Sequence, residues 1–164
     1  MLSSRRSRGS LRDSRSVPGV SASEDAVALP PSGAVIEEIR RSSGFTIHEL
    51  TGSRVRATMS LNEAHHQPYG IVHGGIYATA VEGVASYGAN AAVADRGQYA
   101  VGTSNTTDFL RPVSVADVEI VAEPIFQGRT QQLWQVSITR VDNGKLIARG
   151  QLRLQNLPRP APEA

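Results

Sequence analysis

Ile76-Tyr-Ala-Thr-Ala-Val-Glu-Gly-Val-Ala-Ser-Tyr-Gly-Ala-Asn-Ala-Ala-Val-Ala94 is the one long helical stretch of this chain. Alanine dominates it, Val81, Val84 and Val93 add bulk, and Glu82 is its only charge before Asp95. A helix that is apolar on nearly all sides belongs in a protein interior. Asp95-Arg96-Gly97 ends it. Such a helix must be covered by other elements, and the flanking sequence offers strands.

Upstream, Gly44–Leu50 and Arg54–Leu61 read as two strands of a hairpin around Thr51-Gly52-Ser53; the second alternates polar and apolar residues as a half-buried strand does. Residues 62–75 form a loop with Pro68, Gly70, Gly74 and Gly75. Downstream, four strand-like segments cover about 98–110, 115–126, 130–141 and 145–155. Asn143-Gly144, between alternating apolar residues, is a strong hairpin signal. The layout predicts an α+β fold in which a curved, mostly antiparallel sheet wraps one long central helix.

Residues 1–31 are rich in Ser, Arg, Gly and Pro and predict a disordered extension. The folded domain is expected over 32–157, opening with a short helix at 33–41 that Ser32 caps and Val35, Ile36 and Ile39 anchor. A frayed tail is expected over 158–164.

The calculated pI of about 9.4 misleads as to partners. Residues 1–16 hold five arginines against Asp13, which gives +4, whereas the whole chain is +2, so residues 17–164 carry −2. The folded part has no basic stripe interleaved with aromatics, so no nucleic-acid partner is expected. No run of 18 apolar residues exists, so no membrane partner is expected. The N-terminal stretch lacks the apolar segment of a secretory signal, and the location expected is cytoplasmic. Cysteine is absent, which excludes disulfides, thiolate nucleophiles and Cys-ligated zinc. The four histidines, His48, His65, His66 and His73, show no HExxH spacing, and neither a metal nor a cofactor is implied.

The chemistry concentrates in Gln67-Pro-Tyr-Gly-Ile-Val-His73-Gly74-Gly75 and the helix after it. Two glycines lead straight into the helix. The first N–H groups of a helix have no internal partner and sit at its positive end. Without side chains, Gly74 and Gly75 let a ligand oxygen approach those amides closely, a geometry that suits an oxyanion. Glycines also simply permit a tight turn. Glu82 is the second clue. Its neighbours along the helix face, Ala78, Thr79, Ala85 and Ser86, are small and uncharged. A carboxylate there is costly unless it is hydrated, paired or used. It lies eight residues beyond Gly74, ~12 Å along the axis at ~1.5 Å per residue. One helix therefore cannot easily bring both groups to a single carbonyl. The expectation is a two-fold dimer in which Gly74 of one subunit meets Glu82 of the other.

The stretch resembles hotdog-fold thioesterases of the phenylacetate-pathway type. It is closest in pattern to bacterial hydroxybenzoyl-CoA thioesterases that use a helix glutamate. Gln67 stands six positions before His73-Gly74-Gly75, Glu82 eight after Gly74, and Ser86 one turn beyond. Val101–Val113, with its Arg111-Pro112 end, resembles the next strand of that family, and the likeness spans about 33–156. The resemblance implies the hotdog fold and hydrolysis of an acyl-coenzyme A thioester, aromatic or medium-chain, to free acid and CoA. It implies Glu82 as nucleophile or general base, Gly74 as the amide that polarises the carbonyl, Gln67 near the thioester and Ser86 as the hydroxyl that orients water. Ser86 replaces the family's threonine and keeps the hydroxyl. His73 is expected to orient the loop. Substrate contacts are implied for Gly75, Ser104, Arg111, Arg129 and Thr130, the arginines facing CoA phosphates. Trp134 and Phe109 are expected in the core. The partners implied are acyl-CoA and further copies of the chain, in a homotetramer with active sites at dimer interfaces.

Two other readings compete. An enoyl-CoA hydratase on the same fold needs an Asp and His pair at the helix entry, and no Asp lies between Leu61 and Ala94. A non-catalytic acyl-CoA-binding protein would normally carry an appended DNA-binding helix pair.

Overall fold

The computed structural model describes residues 44–160. The short helix expected at 33–41, the extension over 1–31 and the last residues of the tail lie outside the described residues. Six strands and one long helix follow one another: β1 (Phe45–Leu50), β2 (Val55–Leu61), α1 (Gly74–Ala91), β3 (Gln98–Phe109), β4 (Ala116–Gln127), β5 (Gln131–Arg140) and β6 (Leu146–Pro158). The strands form a single sheet, order β1-β2-β4-β5-β6-β3, with every neighbouring pair antiparallel. This is the expected hotdog arrangement. The strand ends fall within a few residues of those read from the sequence, and Gly144 takes the left-handed conformation of its turn, φ 66°. No helix among the described residues is long and apolar enough to cross a membrane.

Alternation decides which strand residues face α1. Val55, Ala57, Met59 and Leu61 of β2 are buried, as are Val118, Ile120 and Ala122 of β4. Trp134, Val136 and Ile138 of β5, with Ala148, Leu152 and Leu154 of β6, complete the inner face. The helix answers with Tyr77, Val81, Val84, Ala85, Gly88 and Ala89, spaced three and four apart. Two glycines permit the close approach: a Cβ at Gly150 would lie 2.8 Å from Val81, and one at Gly88 would enter the Trp134 ring. The ring is held from its far side, because its Nε1 donates to Gln132 Oε1 at 2.9 Å. The buried Gln132 amide in turn donates to the Ala89 carbonyl at 3.0 Å and to Asn156 Oδ1 at 2.8 Å. Buried amides with partners of this kind fix a unique packing.

Three details differ from the sequence reading. The helix runs over Gly74–Ala91 rather than Ile76–Ala94, because His73 caps it, Gly74 is already helical and Ala94–Arg96 form a separate 3-10 turn. Inside the 62–75 loop, Asn62 and His65 make a reciprocal capping box over a short 3-10 turn, Glu63–His65. The helix is also not covered on all sides. Gly75, Thr79, Glu82 and Ala91 are exposed, because β3 is the last strand of the sheet and none of the described residues covers α1 beyond it.

Candidate active site

The strand β3 runs antiparallel to α1 along its open side. Four contacts mark the register. Phe109 lies over Gly74, where an added Cβ would sit 2.7 Å from the ring. Asn105 Nδ2 donates to the Ala78 carbonyl at 2.9 Å. A Cβ at Gly102 would lie 3.5 Å from Glu82 Oε1. The Asn90 side chain closes on Ala100, accepting from its N–H at 2.9 Å and donating to its carbonyl at 3.0 Å.

The loop at the glycine end is built from turns. Gln67 Oε1 accepts from Tyr69 N at 2.9 Å, Gly70 N donates to the Gln67 carbonyl at 3.0 Å, and Gly70 takes φ 74°. Val72 N donates to the Val113 carbonyl, and His66 Nε2 meets the Ser114 carbonyl at 2.7 Å, which ties the loop to the segment after β3. His73 Nδ1 accepts from Gly75 N at 2.8 Å. The histidine thus acts as a helix cap. Its bond also occupies one of the two glycine amides named in the sequence reading. The Gly74 N–H is the one left without an acceptor among the described residues.

Glu82 stands on the exposed stripe of α1. Ser86 Oγ donates to its Oε1 at 3.3 Å, and among the described residues no cation lies within ion-pair distance of it. Glu82 and Ser86 therefore form one group, and Gly74, His73 and Gln67 form another, two helical turns away. One chain does not bring the groups together.

The remaining sequence candidates scatter. Strand alternation puts Ser104 on the face of β3 shared with Thr106 and Asp108, away from α1. Arg111 follows β3 at the glycine end, and its guanidinium donates to the Leu146 carbonyl. Arg129 and Thr130 lie at the opposite end, in the β4–β5 turn, where their carbonyls accept from Asn156 and their side chains are exposed. Trp134 is in the core, as expected, but Phe109 is not: it is 58% exposed. Its residue type suggested burial, whereas its place at the end of an edge strand leaves only one ring face to pack, against Gly74 and, at a centroid distance of 6.1 Å, against Tyr77.

Two tyrosines border the site. Tyr77 is buried, and its hydroxyl has no partner among the described residues. Burial pushes its pKa up. The Tyr87 phenol is also pushed up, chiefly by burial and further by the negative charge of Glu82. The sequence reading missed Phe109 over Gly74, and it missed Asn90 and Asn105 as partners of backbone groups. Asn90 did leave a signal, as an amide within an otherwise apolar helix.

Comparison with known proteins gives the family of the chain. Residues 69–147 match the family described as "Thioesterase superfamily". A Mycobacterium tuberculosis protein that bears an esterase name, Rv1847, is 42% identical over 116 residues, which cover 70% of this chain and 82% of that protein. The solved structure of that protein superposes with a TM-score of 0.72 at 40% identity, covering 76% of this chain and 99% of the other. The "Proofreading thioesterase EntH" of Cronobacter sakazakii is 32% identical over 114 residues, 70% of this chain and 80% of its own.

Proposed function

Because the chain belongs to the thioesterase superfamily and is a thioester hydrolase, we propose that it hydrolyses an acyl-CoA thioester in a site shared by two subunits. The acyl group is of the aromatic or medium-chain class. What carries the reading is the separation of the two groups on α1: among the described residues, a carboxylate held only by Ser86 and a glycine amide without an acceptor eight residues before it, both beside a sheet edge with no further strand.

In this reading the thioester carbonyl oxygen accepts from the Gly74 N–H at the positive start of α1. Glu82 of the other subunit faces the carbonyl carbon. It takes a proton from water, with Ser86 helping to hold that water, and the hydroxide adds to the carbon. Alternatively, the carboxylate adds directly, and water then cleaves the resulting anhydride. On either route the C–S bond breaks, the sulfur leaves as thiolate and takes up a proton, and free acid remains. His73 fixes the glycine turn through its Nδ1, and Gln67 holds the preceding loop. Arg111 of one subunit and Arg129 of the other come to the same end of the shared site and meet the phosphates of CoA. The second copy also covers the exposed stripe of α1 and the long open edge, which a monomer would leave as a template for stray pairing.

The test mixes two inactive variants, Glu82→Ala and a Gly74→Val variant, assaying released thiol from a panel of acyl-CoA substrates. Each homodimer loses turnover by orders of magnitude. Mixed, unfolded together and refolded, they regain activity, because one of the two sites in the heterodimer carries both intact groups. Failure to complement while both variants fold and dimerise would refute the shared site.

A further inference from the structure

The outer edge of β3 is open along only part of its length. Pairing with β6 uses the backbone groups of Tyr99, Val101, Ser104, Thr106 and Asp108, so those of Gln98, Ala100, Gly102, Asn105, Thr107 and Phe109 point outward, with a one-residue bulge at Thr103. At the start of the strand, the chain itself occupies them. Arg159 Nε donates to the Gln98 carbonyl at 3.2 Å, and the Asn90 side chain takes both the N–H and the carbonyl of Ala100. Asn90 thus does for Ala100 what a neighbouring strand would do. From Gly102 to Phe109, the outward groups have no backbone partner among the described residues.

Resting on the shared-site reading above, we propose that Asn90 is a positioning residue that sets the register in which a second copy of the chain pairs with β3. With Ala100 occupied, the free groups run through 102–109, and the axis of an antiparallel pair of copies is placed near their middle, at Thr106. That register sets Asn105 against the partner's Thr107 and Thr103 against the partner's Phe109. Two independent contacts then give it a catalytic meaning. Phe109 rests on Gly74, and Gly102, next to Thr103, faces Glu82, whose Oε1 would lie 3.5 Å from a Cβ placed there. Pairing about Thr106 therefore brings the partner's glycine turn alongside Glu82. A slip of two residues, the smallest that keeps side chains on their own faces, shifts the strands by roughly 7 Å and takes the two groups out of reach. A slip toward Gln98 requires the Asn90 amide to be displaced first.

The absence of cysteine makes the register measurable. Single cysteines at Ser104, Thr106 and Asp108 are introduced in turn, and disulfide-linked dimer is followed under mild oxidant. Opposed residues at the axis lie within disulfide reach, whereas those two positions away do not. Thr106→Cys is expected to cross-link at least tenfold faster than the other two. Asn90→Ala in the same backgrounds is expected to spread cross-linking toward Ser104→Cys, and to lower kcat about tenfold or more with KM little changed. Faster linkage at 104 or 108 with Asn90 intact would overturn the register, even if Asn90→Ala fails to fold. So would an unchanged linkage pattern and kcat in a folded Asn90→Ala. A wild-type protein that is active as a monomer would instead sink the shared site itself, and light scattering distinguishes that outcome from the others.

Discussion

The Phe109 ring lies flush over Gly74, leaving no room for a β-carbon: the added atom would sit 2.7 Å from two ring carbons. The ring is more than half exposed, so it can yield. Gly74→Ala is therefore expected to lose most thioesterase activity while lowering stability by less than about 1.5 kcal/mol, since the displaced group is a surface side chain. Adding Phe109→Ala should restore part of kcat. A double variant no better than Gly74→Ala would show that the ring is not the obstacle.

The cap at the start of α1 gives a second prediction. His73→Ala removes the acceptor of the Gly75 N–H and should destabilise the fold by about 1 kcal/mol. His73→Asn, which keeps a capping oxygen, should recover most of that loss in denaturant melts and most of the activity. If His73→Asn folds well but is as inactive as His73→Ala, the imidazole takes part in the chemistry.

Gly88→Ala tests the packing of α1 on the sheet. The methyl would enter the Trp134 ring and stand 2.9 Å from Val55, and the ring cannot step aside without breaking its bond to Gln132. Overpacking of this kind costs about 1–3 kcal/mol. The expected result is a Tm lower by several degrees; an unchanged melt would mean that the helix lifts freely.

The tyrosines report on Glu82. Tyr77 and Tyr87 both have raised pKa values, so the folded state holds their protons more tightly than the unfolded chain does. Their contribution to stability is whole below pH 10.0 and fades as pH climbs through the folded values. Burial leads in both, but only Tyr87 also feels the carboxylate. In Glu82→Gln, the Tyr87 titration followed by NMR should move down toward 10.0 while that of Tyr77 stays. Equal behaviour of the two would remove Glu82 from the neighbourhood of Tyr87.

Tyr77→Phe deletes a buried hydroxyl that has no partner among the described residues. Relief of an unpaired polar group should leave stability unchanged or raise it by up to about 1 kcal/mol. A loss above 1 kcal/mol in chemical denaturation would reveal a partner supplied by the assembled protein.

Most of the sheet was legible because burial on one face imposes alternation: Val55, Ala57, Met59 and Val118, Ile120, Ala122 announce it directly. The glycine turn and Glu82 stood out for the same kind of reason, as residues whose chemistry disagrees with an apolar helix. Strand order was not legible, because β3 pairs with β6 across 36 intervening residues (110–145) and no local signal encodes that choice. Phe109 was misread because an aromatic side chain has the same character whether its strand is central or at an edge. The Gln67 amide reads from the sequence as lying near the thioester; its oxygen also holds the turn at Tyr69, a use visible only once the backbone groups around it have places.

Ala78, Ala89 and Ala100 are tied by side-chain amides from Asn105, Gln132 and Asn90, so α1 is pinned to the sheet at three heights. A helix fastened in this way cannot creep along its own axis. The span from its first turn to its acidic side chain is a ruler of fixed length, and a change in that span would require these amide bonds to break first.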